Sequence, residues 1–202
     1  MEHLAVDVVL LPEPKIARDC IALNASLVDA CASEIVLDYE TCLPHVSLAM
    51  GCVTPEVLPE IATRLQRLLD NISIEPLQCA GISTQDHGQG RLVSSLDLIS
   101  TPTLQALHER IMRDLESLLQ IQATETMFHG DEPITSNTLG WVRDYRENSG
   151  FTAFSPHITL GYGRLEQAEC PPQFCARSLA VCHLGNHCTC RRVLWEREIS
   201  DQ

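Results

Sequence analysis

The spacing of apolar and polar positions divides the chain into two similar runs of elements. Val6 to Leu11 is apolar, rich in β-branched residues and closed by Pro12 and Pro14, which predicts a buried strand. From Lys15 to about Ala32, residues Ile16, Cys20, Leu23, Leu27 and Ala30 recur at helical spacing. A short strand is expected over Ile35–Leu37, followed by a loop and the segment Pro44-His45-Val46-Ser47-Leu48-Ala49-Met50. Thr54-Pro55-Glu56 reads as a helix start, with a capping threonine and proline in the first turn. Leu58, Ile61, Leu65, Leu68 and Leu69 carry that helix to about Asn71. Ile72 to Ile82 predicts a strand interrupted by Pro76, His87–Gly90 a turn, and Arg91 to Ile99 an alternating strand.

Thr101-Pro102 opens a third helix, with Leu104, Leu107, Ile111, Leu115 and Leu118 on one face. Residues 121–140 are polar and irregular and predict a long loop. Trp141 to Asn148 is expected as a short helix and Phe154 to Gly161 as a strand. Two last strands, about Phe174–Leu184 and Thr189–Ile199, flank the turn signal Gly185-Asn186. The sum is an α+β chain whose two halves each hold a strand, a helix and a histidine-bearing strand. No linker rich in Gly, Ser or Pro separates them, so residues 1–202 are expected to form one domain of two lobes.

Composition narrows the function classes. No apolar run reaches the ~20 residues of a membrane helix, and the acidic flanks of the first apolar stretch do not read as a signal peptide. Ten cysteines in such a chain are expected as reduced thiols in a cytoplasmic protein, with Cys20, Cys31, Cys79 and Cys182 in apolar surroundings. A net charge of −13 repels long polyanions, so DNA and long RNA tracts are not expected as partners. Lys15 is the only lysine; the other basic residues are arginines, whose planar fork of donors suits a small phosphate group.

Two segments share one layout. Pro44-His45-Val46-Ser47-Leu48 and Pro156-His157-Ile158-Thr159-Leu160 both run proline, histidine, β-branched residue, hydroxyl, leucine. Side chains alternate across a strand, so each would present an imidazole and a hydroxyl on one face and pack the other face into a core. Cleaving a phosphodiester near neutral pH needs one group to take a proton from the nucleophile and another to give one to the leaving oxygen. Histidine does either. The hydroxyls of Ser47 and Thr159 would hold non-bridging phosphate oxygens, and the scheme requires no metal and no other cofactor.

The motifs His45-Val46-Ser47-Leu48 and His157-Ile158-Thr159-Leu160, with the order of strands and helices around them, resemble the 2H phosphoesterase superfamily. That superfamily includes 2′-5′ RNA ligases and 2′,3′-cyclic nucleotide phosphodiesterases. The resemblance extends over nearly the whole chain. It implies a bilobal α+β fold, with two antiparallel sheets flanking a central cleft and helices outside. It also implies His45 and His157 as the catalytic pair, Ser47 and Thr159 as substrate-binding residues, and a nucleotide or RNA terminus as substrate. The expected enzyme is a monomer with no membrane partner. It hydrolyses a 2′,3′-cyclic phosphate or a 2′-5′ phosphodiester, or runs the reverse ligation. The alternative is a module of the same fold that binds such ends without turnover.

Other candidates carry less. The run from Cys182 to Cys190 has the residues of a zinc knuckle, with Cys170 and Cys175 as distant partners; a hairpin with small buried cysteines and exposed histidines explains it more simply. Arg91 and Arg164 are near enough to the motifs to reach phosphate, though surface roles suit each of them better. Tyr162 is a candidate cleft wall and His129 a candidate lid residue, while His3, His87 and His108 have no motif around them. Neither a phosphate-binding Gly-Lys-Ser/Thr loop nor a Gly-x-Ser-x-Gly elbow occurs.

Overall fold

A computed structural model describes residues 3–31, 34–86, 91–165 and 168–199. The side chains of Ala30 and Cys31, residue Ala32 and the turn expected at His87–Gly90 lie outside the described part. The elements are β1 (Leu4–Pro12), α1 (Pro14–Cys31), β2 (Val46–Val53), α2 (Leu58–Leu69), β3 (Leu77–Asp86), β4 (Leu92–Leu98) and α3 (Pro102–Leu115). They continue with α4 (Ser136–Arg143), α5 (Tyr145–Asn148), β5 (His157–Tyr162), β6 (Gln173–Phe174), β7 (Ala176–Leu184) and β8 (Cys190–Glu198). Two antiparallel sheets of four strands result, ordered β2-β1-β7-β8 and β5-β4-β3-β6, which is the expected α+β architecture.

Apart from Asp7, β1 is apolar along its length because both of its faces are covered. Val6, Val8 and Leu10 enter the main core, whereas Ala5, Val9 and Leu11 enter a second apolar cluster with Cys52, Phe128, Val142 and Cys182. Asp7 falls on that second side, fully buried among apolar neighbours.

Both motif strands are sheet edges. Among the strands of the described residues β2 pairs with β1 alone, apart from a single bridge of Cys52 to Gln120, and β5 with β4 alone, and the two edges approach one another. Each also carries a β-bulge at the same motif position. Val8 faces Ala49 and Val9 faces Ser47, leaving Leu48 unpaired; Ser94 faces Gly161 and Ser95 faces Thr159, leaving Leu160 unpaired. A bulge frees a carbonyl that must find another donor. His108 on α3 meets the Leu48 carbonyl through Nδ1 at 2.8 Å, and Asn24 on α1 donates Nδ2 to the Leu160 carbonyl at 2.7 Å.

The structure corrects several expectations. Residues 35–37 form no strand; Asn24 instead accepts from the Leu37 amide at 2.8 Å and donates to the Ile35 carbonyl at 2.8 Å, so the helix satisfies this backbone. β3 begins only at Leu77, directly after Pro76, which lacks an amide hydrogen to pair, and runs on to Asp86. The 121–140 segment is less irregular than its polarity suggests. It contains a 3₁₀ turn at Glu125–Met127, and α4 starts at Ser136 under a cap from Thr135, whose Oγ1 accepts from the Thr138 amide at 3.2 Å. Phe154 precedes β5 rather than beginning it. The connection after β7 is a 3₁₀ turn over Asn186–Cys188, with His187 and Cys188 at φ of 59° and 53°, instead of a two-residue hairpin turn.

Candidate functional site

The two motif histidines are held alike. His45 immediately precedes β2 and bonds its Nδ1 to the Leu43 carbonyl at 2.7 Å; His157 opens β5 and bonds Nδ1 to the Ser155 carbonyl at 2.8 Å. A carbonyl only accepts, so Nδ1 of each ring carries the hydrogen and Nε2 is left with a lone pair. Backbone pairing pins one of these anchors, since the Leu43 amide donates to the Cys190 carbonyl at 3.0 Å. The Pro156 carbonyl, beside the other anchor, accepts from the Leu98 amide at 2.9 Å.

His45, Ser47, His157 and Thr159 all line one open cleft of about 750 Å³, so the structure brings the four sequence candidates together. That volume suits a nucleotide-sized ligand. Their surroundings differ. The His45 side chain is only 13% exposed, and burial pushes its pKa down to about 4, with His157 adding a smaller push in the same direction. His157 is exposed. Ser47 Oγ lies 2.6 Å from Asp7 Oδ2, and His45 Nε2 is 3.9 Å from the same oxygen. Burial drives the Asp7 carboxyl well above the usual carboxylate range, against the opposing pull of Ser47 and of the Ala49 and Leu48 amides. Its Oδ1 has no hydrogen bond of normal geometry.

Opposite, Asp97 is the cross-strand partner of His157 and Ser95 that of Thr159, with Ser95 Oγ donating to Asp97 Oδ1 at 2.6 Å. One cleft wall is a linked polar cluster. Glu34 receives both Arg91 Nη2 and His187 Nε2 at 2.8 Å, Tyr162 Oη meets His187 Nδ1 at 2.9 Å, and the Arg91 guanidinium lies 4.3 Å from the Tyr162 ring centre. Tyr162 is therefore a cleft-wall residue, and Arg91 lies at the cleft with its guanidinium already bound. Arg164 is exposed and does not line the cleft. His129 packs its ring edge on His183, 5.3 Å between centres, away from the cleft lining.

The run from Cys182 to Cys190 is part of a strand pair, with Cys182 and Cys190 fully buried as expected. Its histidines depart from the expectation of exposure: the His187 side chain is 7% exposed, because Tyr162 and Glu34 cover it. Among the described residues, a group placed to hold a metal is instead Asp7, His45 and Cys190. Asp7 and Trp141 both escaped the sequence reading. A lone carboxylate inside the run Val6–Leu11 is the signal that marks Asp7. Trp141, 45% exposed and lining the cleft, has no comparable signal.

Two histidine-bearing edge strands set against one cleft between antiparallel sheets are the arrangement of a 2H phosphoesterase. The sequence profile of the 2′-5′ RNA ligase superfamily matches residues 27–182, which include both motifs, and the chain belongs to that family. Among solved structures it is similar to the apo crystal structure of LigT from E. coli, at 15% identity over 100% of each chain with a TM-score of 0.52. A search of the curated proteins finds no match. No helix among the described residues is long and apolar enough to cross a membrane.

Proposed function

We propose that the chain is a phosphodiesterase that opens a 2′,3′-cyclic phosphate, or cuts a 2′-5′ phosphodiester, at a nucleotide or RNA end. The observation that carries this reading is the matched pair of imidazoles. Each is oriented through Nδ1 by the carbonyl two residues upstream and has Nε2 available on one cleft. In hydrolysis, a water attacks phosphorus, one Nε2 takes its proton, and the other imidazole returns a proton to the departing ribose oxygen. The product is a single phosphomonoester. We assign the base role to His45, because burial keeps its ring neutral and ready to accept a proton. His157, on the opposite edge strand, is the acid. The reverse ligation exchanges the two roles. No step calls for a metal or cofactor.

Thr159 and Ser47 hold the non-bridging oxygens. Ser47 can do so although it is 2.6 Å from Asp7. The Ser47 hydroxyl donates to Asp7 Oδ2; when burial leaves that carboxyl protonated, the bond reverses and the Ser47 hydroxyl hydrogen turns toward the phosphate. We take the protein to act as a one-domain monomer in the cytoplasm, where the thiol state of the nine described cysteines would persist. The net charge of −13 favours small ends over long nucleic acids, RNA or DNA.

The test is turnover of 2′,3′-cyclic nucleotides with EDTA present, in wild type and in His45→Ala and His157→Ala. Each variant should fold and lose about 10²–10⁴ in rate. A wild type that binds these compounds without turning them over would instead identify an end-binding module. Full activity in either variant would defeat the assignment.

A further inference from the structure

Beside the proposed base His45 lie two buried ligand groups, Asp7 and Cys190, that exchange no proton with the substrate in the proposed reaction. One carboxylate oxygen of Asp7, a ring nitrogen of His45 and Cys190 Sγ all lie within 4.8 Å of one another. Asp7 and Cys190 are fully buried, and Asp7 Oδ1 has no hydrogen bond of normal geometry, only the weaker pull of the Ala49 and Leu48 amides on its carboxyl. A buried acceptor so poorly satisfied is costly and calls for an explanation. Of the His45 nitrogens, Nδ1 is engaged with the Leu43 carbonyl, so Nε2 is the one that faces this group, 3.9 Å from Asp7 Oδ2.

We propose that Asp7, His45 and Cys190 form a site for a thiophilic divalent cation, Zn²⁺ first among them, whose occupancy switches off the cleft. The inhibitory consequence rests on the catalytic role proposed for His45; the binding itself does not. A sulfur, an imidazole nitrogen and a carboxylate oxygen are the donors zinc prefers, and three protein ligands leave a fourth position open. Hard ions such as Mg²⁺ prefer all-oxygen sites and are excluded by the thiol. The exchange balances: the Asp7 carboxyl and the Cys190 thiol each release one proton, and the ion's two positive charges replace them. The buried pocket keeps the same net charge, so the ion adds no uncompensated charge to an apolar layer. Entry is through the cleft, where His45 is the one ligand of the three that keeps solvent exposure. A cation on Nε2 occupies the lone pair that would accept the proton of the attacking water. It is therefore an inhibitor of the proposed reaction and not its cofactor.

The experiment uses the whole chain, reduced and metal-free. Titration with Co²⁺ reports thiolate ligation as a sulfur-to-cobalt charge-transfer band, and Zn²⁺ should displace it at one equivalent. In a parallel assay, Zn²⁺ should inhibit cyclic-nucleotide hydrolysis while Mg²⁺ at equal concentration does not. Cys190→Ala and Cys190→Ser should lose the band and, measured against whatever basal turnover each retains, need at least tenfold more Zn²⁺ for half inhibition. An unchanged band together with unchanged zinc sensitivity in both variants overturns the proposal. If both Cys190 replacements fail to fold, His45→Ala is titrated with Co²⁺ alone; at least tenfold weaker binding supports the site and undiminished binding refutes it. If the wild type turns over no cyclic nucleotide, the spectroscopic titrations still decide the metal site.

Discussion

Leu48 and Leu160 are each the unpaired residue of a β-bulge one position beyond a motif hydroxyl, and each has its carbonyl taken by a buried polar side chain from a helix. His108 serves Leu48 and Asn24 serves Leu160. Each bulge bends an edge strand just where it presents His45 with Ser47, or His157 with Thr159, to the cleft. Replacing Asn24 by Ala removes its three hydrogen bonds, to the Leu160 and Ile35 carbonyls and from the Leu37 amide. The expected cost is about 3 kcal/mol, or roughly 10 °C in Tm by thermal denaturation. His108→Ala strips the Leu48 carbonyl and also the Phe151 amide, which donates to its Nε2 at 2.8 Å, and should cost a similar amount. A loss below about 0.5 kcal/mol in both would mean the bulges need no such anchoring.

Asp7 makes a different kind of prediction, because its charge state decides the sign. The carboxyl is buried and its pKa raised, so the folded protein holds a proton that the unfolded chain releases above its ordinary range. This contribution to stability is complete below the unfolded pKa and is lost as pH rises toward the folded one. Asp7→Asn keeps the shape and stays neutral throughout. Thermal melts should therefore show the variant gaining on wild type between pH 5 and pH 8. The opposite trend would mean a native, ionised and stabilising carboxylate. Asp7→Ala, which leaves a cavity beside Ser47, should cost about 2 kcal/mol at pH 5 and less at pH 8, because alanine does not titrate either.

His45 titrates with the opposite sign. Its folded pKa is depressed to about 4, so the unfolded chain takes up a proton first as pH falls below the usual histidine value of ~6.5. The stability it contributes is present above that value and is lost between there and about pH 4, amounting to about 3 kcal/mol. His45→Asn should flatten this part of the stability curve. In kinetics, a base that stays neutral to such low pH places the acid limb of kcat/KM near pH 4. An acid limb at ~6.5 would assign the base to an ordinary histidine.

Much of this was legible in the chain and some was not, for identifiable reasons. The histidine motifs were readable because period-two alternation places imidazole and hydroxyl on one face whatever the surrounding fold. The sheet order that makes both motif strands edges was not readable, since it depends on pairings between distant segments, such as β1 with β7. Asn24 looked like one polar position on an amphipathic helix, yet its amide supplies bonds that a strand at Ile35–Leu37 would have made. His108 stood alone in sequence because its partners, Leu48 and Phe151, are contributed by other elements. α4 started earlier than its apolar pattern, at a threonine cap that leaves little trace in hydrophobicity.

Trp141 offers the sharpest separation of binding from chemistry. It stands on α4, whose start is fixed by the Thr135 cap and by Asn186, whose Oδ1 accepts from Thr138 Oγ1 at 2.8 Å and from the Thr135 amide at 3.1 Å. The indole is 45% exposed and lines the cleft, a surface on which a nucleobase can stack. Stacking of a base on an aromatic ring contributes about 1–3 kcal/mol. Trp141→Ala should then raise KM for a 2′,3′-cyclic nucleotide roughly tenfold, with kcat within about a factor of two, since the imidazoles are untouched. Trp141→Phe should recover most of the loss. A small cyclic phosphate diester that lacks a base should show no KM change between wild type and Trp141→Ala. Equal losses for both substrates would mean that Trp141 supports the cleft wall, and the base would have to lie elsewhere, against Tyr162 and Arg91.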